Sequence, residues 1–115
     1  MNLAGQDLHP QEVIDRCTQG SEPVTAIFAG TDYLAIHLIK AASDLKVTVP
    51  DELAIMGFGD LWPSACVSPA LSTVRRDADR IGQEAVERLL QGINGQALSG
   101  ESFLVACNLI LRESA

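Results

Sequence analysis

The chain is poor in positive charge. Eight Lys and Arg stand against fifteen Asp and Glu, for a formal charge of −7 and a pI near 4.6. Neutralising nucleic-acid phosphates takes a clustered Lys/Arg surface. Here the basic residues are scattered, apart from the Arg75-Arg76 pair, so these 115 residues are not expected to bind DNA by themselves.

Cysteine is scarce as well. Cys17, Cys66 and Cys107 lie far apart, with no C-x-x-C spacing. An odd count with no secretory leader reads as reduced thiols in a cytoplasmic protein. His9 and His37 have no partner at metal-ligand spacing, so no metal or other cofactor is expected. The first ten residues offer neither a basic n-region nor an apolar h-region, which argues against secretion. No apolar stretch approaches the roughly 18 residues that span a membrane. Also missing are a G-x-S-x-G elbow, a Cys/His constellation, a P-loop, and a G-x-G-x-x-G run after a strand. Nothing resembles a nucleophile–base pair, and the chain reads as non-enzymatic. It carries no internal repeat and no low-complexity segment.

What is present is globular: 47% hydrophobic and 20% charged residues over a length that fits one small domain. Residues 9–17 read as a short helix, with Pro10 in its first turn and Gly20 as its stop. Val24 to Ala29 is a continuous apolar run, the mark of a strand buried on both faces of a parallel sheet. Gly30-Thr31-Asp32 opens the longest helix, reaching about Lys46, and either Thr31 or Asp32 can cap it. Its polar stripe is narrow (Tyr33, His37, Lys40, Asp44). The apolar remainder, Ile36 included, implies contact with a second subunit or with another part of the same protein.

A second strand covers Leu53 to Phe58, a link runs from Leu61 to Val67, and a third short strand covers Leu71 to Val74. Asp77 to Gly92 is the clearest helix, with Ala78, Ile81, Ala85, Val86, Leu89 and Leu90 at helical spacing. Asp77 and Asp79 suit its positive end, and Glu84 with Arg88 forms an i,i+4 pair. Phe103 to Leu111 reads as the last strand, and residues 112–115 as a polar tail. This alternation indicates α/β architecture: a mostly parallel sheet flanked by helices, with right-handed crossovers. In such sheets ligands sit in the crevice beyond the carboxyl ends of the strands. That makes the Gly57-Phe58-Gly59-Asp60 run, at the end of the second strand, a wall of a candidate small-molecule site.

Five segments carry a family resemblance. Residues 25–35, Thr-Ala-Ile-Phe-Ala-Gly-Thr-Asp-Tyr-Leu-Ala, resemble the "TAIFAxNDxxA" signature of lactose/galactose-repressor-type transcriptional regulators. Residues 49–60 resemble the same family's "VPxDxxxxGFDD", 69–75 its "PPLTTVR", 81–90 its "LGxxAVxxLL", and 112–114 its "RES". They occur in the family's order and spacing. The resemblance implies a partial periplasmic-binding-protein-like (type I) fold. It also implies a single partial effector-binding and dimerisation domain over residues 1–115. On that reading the chain is the C-terminal lobe plus a crossover helix, 77–92, belonging to the other lobe, with the helix-turn-helix DNA-binding head absent. The expected partners are a sugar or sugar-acid effector and a second subunit, with DNA reached only through that head and no membrane.

The resemblance also nominates residues. Thr31 stands where the family usually has Asn, a frequent ligand contact, and Asp32 follows it as ligand contact or cap. Gly59 stands where the family commonly has the Asp that accepts sugar hydroxyls, and Asp60 remains as ligand contact or turn residue. Trp62 offers a face for a sugar ring or a cover for a subunit contact. Arg76 stands where a cleft-facing polar residue is usual; it reads either as an ion-pair partner of Asp77 or Asp79 or as a ligand contact. The loss of an acid at Gly59 and the gain of a cation at Arg76 point to an anionic effector, since a guanidinium grips a carboxylate with two hydrogen bonds. Gly-Phe-Gly-Asp further resembles regulators of the gluconate-utilisation kind. Ile36, Cys66 and Val67 fall on the expected dimer interface. The alternatives are a solute-binding protein of a sugar transporter, which shares the fold, and an oligomerising fragment that binds no ligand.

Overall fold

A computed structural model describes residues 9–19, 21–96, 100 and 102–115, and within them helices and strands alternate as the sequence predicts. The order is α1 (Pro10–Thr18), β1 (Ala26–Phe28), α2 (Asp32–Asp44), β2 (Ala54–Phe58), a 3-10 turn (Trp62–Ala65), β3 (Ser72–Arg76), α3 (Ala78–Ile93) and β4 (Cys107–Ile110). Gly20, the expected stop of α1, lies outside the described residues.

Pro10 sits in the first turn of α1, where a missing N–H costs nothing. Ile14 and Cys17 turn inward from α1, which packs on α2. Thr31, in extended conformation, caps α2: its side-chain oxygen accepts a hydrogen bond from Leu34 N at 3.2 Å. Ala35, Leu38, Ile39, Ala41 and Ala42 form the inner side of α2, and the small alanines let the helix lie close to the sheet. With Leu53, Ile55 and Leu71 they make the core.

The four strands pair in chain order. β1, β2 and β3 are parallel, with Phe28 opposite Met56 and Phe58 opposite Val74. β4 is antiparallel to β3, with Val74 opposite Leu109. Because alternate residues of a strand point to opposite faces, this register sorts the sheet into two sides. Ile27, Ile55, Gly57 and Thr73 share the side that meets α2. Phe28, Met56, Phe58, Val74 and Leu109 share the other. That second side is bare at its margins, with Phe28 62% and Leu109 56% exposed.

Two expectations fail here for one reason each. The 24–29 run is not a strand buried on both faces: β1 is three residues long, lies at the sheet's edge, and exposes Ala26 and Phe28. Its apolar composition reflects a second face that the described residues leave uncovered. Likewise residues 112–115 are no free polar tail. Ser114 is fully buried; its Oγ donates to Ile55 O at 2.6 Å and accepts from Ser72 N at 2.9 Å. Ser114 O accepts from Ile55 N, and Glu113 N and Ser114 N donate to Ala70 O. A short hydroxyl side chain beside a strand supplies partners that the ladder leaves wanting.

Helix α3 matches its predicted span and is capped by Asp77, whose side chain accepts from Arg80 N at 2.9 Å. The Glu84–Arg88 pair forms at 3.0 Å. The Arg80 and Arg88 guanidinium groups lie 5.3 and 5.8 Å from the centre of the Phe103 ring. Yet α3 buries no residue. The molecule is elongated, 58 × 28 × 19 Å, with a radius of gyration of 18.2 Å, where a compact domain of this size has about 13 Å.

Candidate functional site at the carboxyl edge of the sheet

Parallel strands bring their carboxyl ends to one edge. Thr31 follows β1, Gly59 to Trp62 follow β2, and Arg76 ends β3, so the residues nominated from sequence converge there. They do not play equal parts.

Asp32 is completely buried beneath that edge. One carboxylate oxygen accepts from Leu61 N at 2.7 Å and Ser64 Oγ at 2.6 Å; the other accepts from Thr73 Oγ1 at 2.5 Å. It is a tie between α2, the 3-10 turn and β3. The cap is Thr31, and Asp32 adds its negative charge at the first residue of the helix, where the macrodipole favours it. Gly57 stands directly under this carboxylate. A Cβ there would overlap an Asp32 carboxylate oxygen and come within 3.0 Å of Leu71 Cδ2.

Gly59 has φ +132°, a conformation that side-chain-bearing residues rarely adopt, and its N–H donates to Val74 O at 2.9 Å. The backbone itself therefore accounts for glycine at this position. Asp60 follows at φ +52°, a region Asp tolerates better than most residues. Its side chain is only 8% exposed and holds two arginines. Arg112 Nη2 donates to one oxygen at 2.7 Å, and Arg75 Nε donates to the other at 2.6 Å. Arg112 Nη1 also donates to Leu71 O at 2.7 Å. Asp60, read from sequence as ligand contact or turn residue, is placed as a clasp joining the β2 exit to β3 and to the segment after β4.

The Arg112 hydrogen bond, above all, holds the Asp60 carboxyl below the usual carboxylate range; burial works against it and Arg75 adds to it. A carboxyl depressed in the folded state contributes stability that is present above its unfolded value, about 3.9, and lost as pH falls through the folded one. Urea midpoints measured at neutral pH and again below pH 4 should fall. Arg112→Met should flatten that acid limb. An unchanged acid limb would show that the pair is not coupled to folding.

Arg76 is exposed and, among the described residues, makes no ion pair, so of its two readings from sequence the pairing with Asp77 or Asp79 is not formed. Trp62 is 80% exposed just past the clasp. Ile36 and Val67 pack partly against the core, whereas Cys66 is exposed with its thiol 3.7 Å from Trp62 O. Phe58 is only half-buried. Arg75, Arg112, Ser64 and Thr73 escaped the reading of site residues from sequence. The only signal for Arg112 was its place in the closing Arg-Glu-Ser. Among the described residues no three His, Cys, Asp or Glu side chains gather as a metal site, and no helix is long and apolar enough to cross a membrane.

A mostly parallel α/β lobe with an exposed polar edge, tied from below by a buried carboxylate, has the build of a ligand-sensor lobe. The chain belongs to the periplasmic-binding-protein-like domain family, whose model matches residues 3–115. It is more narrowly a sensor domain of the lactose-repressor (LacI) type. The lactose operon repressor of Escherichia coli is 31% identical over 94 residues, which are 82% of this chain and 26% of that protein. The transcription regulator GntR of Chromobacterium violaceum superposes with a TM-score of 0.73 at 34% identity, covering 91% of this chain and 39% of the other. A LacI family transcriptional regulator of Lactobacillus casei, solved with bound sucrose, gives 0.73 at 26% identity, covering 92% and 39%. The chain spans between a quarter and a third of the length of the curated relatives it matches.

Proposed function

We propose that this chain is the ligand-sensing and dimerisation portion of a bacterial transcriptional regulator. In the whole protein, a small sugar or sugar acid is held between this lobe and a second one. Helix α3 lies against the second lobe, DNA is bound by a separate helix-turn-helix head, and subunits pair around Ile36, Cys66 and Val67. The protein is cytoplasmic and non-enzymatic. One observation carries the reading: Thr31, Trp62 and Arg76 stand exposed along a single strand edge that the fully buried Asp32 and the mostly buried Asp60 carboxylate brace. Thr31 supplies a hydroxyl, Trp62 an aromatic face, and Arg76 a guanidinium with no ion-pair partner among the described residues.

The charge balance at this edge favours an acid over a neutral sugar. Asp60 is neutralised by its two arginines, Gly59 contributes no acid, and Arg76 is left to face an anion. Calorimetric titration of the full-length regulator is expected to show gluconate binding at least tenfold tighter than glucose. Arg76→Met should remove that preference while sparing the fold. A preference for the neutral sugar would overturn the anionic assignment, and binding of neither would overturn the sugar-acid class itself.

A further inference from the structure

The clasp at Asp60 holds more positive charge than it needs. One carboxylate faces two guanidinium groups, in a chain whose formal charge is −7. The two arginines are held differently. The Arg112 side chain is 18% exposed, and it donates to Asp60 through Nη2 and to Leu71 O through Nη1. The Arg75 side chain is 55% exposed and donates to Asp60 through Nε alone. Its two Nη groups make no hydrogen bond among the described residues. We infer that Arg75 is a specificity-determining residue of the effector site: its Nη pair grips the carboxylate of an anionic effector, and Asp60 is the positioning residue that presents it. The assignment rests on the sugar-acid effector proposed above.

Place, geometry and charge each support this role. Asp60 lies just past the end of β2 and Arg75 is the penultimate residue of β3, so their bond lies at the carboxyl edge where ligands meet such sheets. Arg75 shares the α2 side of the sheet with Thr73, whereas Arg76 lies on the other side. The two cations approach the edge from opposite faces and do not duplicate one another. A guanidinium is a planar fork of five N–H donors. Bonding through Nε fixes that plane and leaves unspent the end where Nη1 and Nη2 make two parallel bonds to a carboxylate. A long side chain pinned beforehand gives up less rotamer freedom when a ligand arrives. Arg112, more than Arg75, keeps the Asp60 carboxyl ionised. The acid therefore stays compensated while Arg75 turns its charge to a ligand.

The test is calorimetric titration of the full-length regulator with gluconate and with glucose. Arg75→Met should weaken gluconate roughly tenfold and change glucose by less than about twofold, the loss expected of a charged hydrogen-bonded contact. Arg75→Lys keeps the charge without the fork and should lose about as much. Asp60→Asn separates positioning from charge. The amide has one accepting oxygen; Arg112, anchored also at Leu71 O, retains it, and Arg75 is released. Gluconate should then bind about threefold more weakly, although removing a negative charge would by itself tighten an anion. The backbone at φ +52° suits Asn as it suits Asp, and far-UV circular dichroism checks that each variant is folded. A wild-type regulator that prefers glucose, or binds neither, would overturn the sugar-acid effector and this assignment with it. Where wild type prefers gluconate, an Arg75→Met variant that keeps the preference would overturn the assignment alone. So would full rescue by Arg75→Lys, tighter gluconate binding in Asp60→Asn, or equal losses for gluconate and glucose, which would make Arg75 a contact to the second lobe.

Discussion

Gly57→Ala is expected to lower the stability of the lobe by about 3 kcal/mol, at the upper end of what overpacking usually costs. The added carbon has nowhere to go. It overlaps an Asp32 carboxylate oxygen and lies within 3.0 Å of Leu71 Cδ2 and 3.1 Å of Asp32 Cα. The neighbours on that side are backbone and a fully buried leucine, neither of which yields easily. Relief would have to come from the carboxylate, whose movement breaks its bonds to Leu61, Ser64 and Thr73. The measurement is a urea or thermal melt, with a fall in Tm of about 10–20 °C for a domain this small. A shift of only a degree or two would mean that β2 and α2 can separate without loss.

Asp32→Ala should cost about 4 kcal/mol, because three donors lose a charged acceptor and the Leu61 N–H cannot turn to find another. Asp32→Asn should cost only about 1 kcal/mol. Its carbonyl can accept from Leu61 N and Ser64, and its amide can donate to Thr73 once that hydroxyl rotates. The contrast separates two roles. A residue needed for its charge would lose as much in Asn as in Ala; a residue needed for its hydrogen bonds would not. Equal losses by chemical denaturation would contradict the assignment of Asp32 as a tie.

The alternation of helices and strands could be read directly from the sequence because each element carries its own period or stop. α3 shows this best: its stripe, its Asp77 cap and its Glu84–Arg88 pair all form as the spacing predicts. The carboxyl edge was legible for a different reason, since parallel strands must bring Thr31, Gly59 and Arg76 to one side. What could not be read was pairing across long separations. Asp60 meets Arg112 across 52 positions, and Ser114 meets Ile55 across 59. Neither contact leaves a mark in local composition. A polar triplet after a strand looks the same whether it dangles or is stitched into a sheet. The 24–29 run misled for a related reason: composition reports that a strand was built to be covered, while its neighbours decide whether it is.

The Asp32 tie also bears on how the edge answers a ligand. A loop that orders on contact gives up conformational freedom at each immobilised side chain, about 0.5–1.5 kcal/mol apiece. Here Leu61 and Ser64 are held from beneath before anything arrives. The turn carrying Trp62 therefore has little freedom left to lose on contact. A surface so fixed at its base yields poorly by bending, and displaces most easily as one rigid piece.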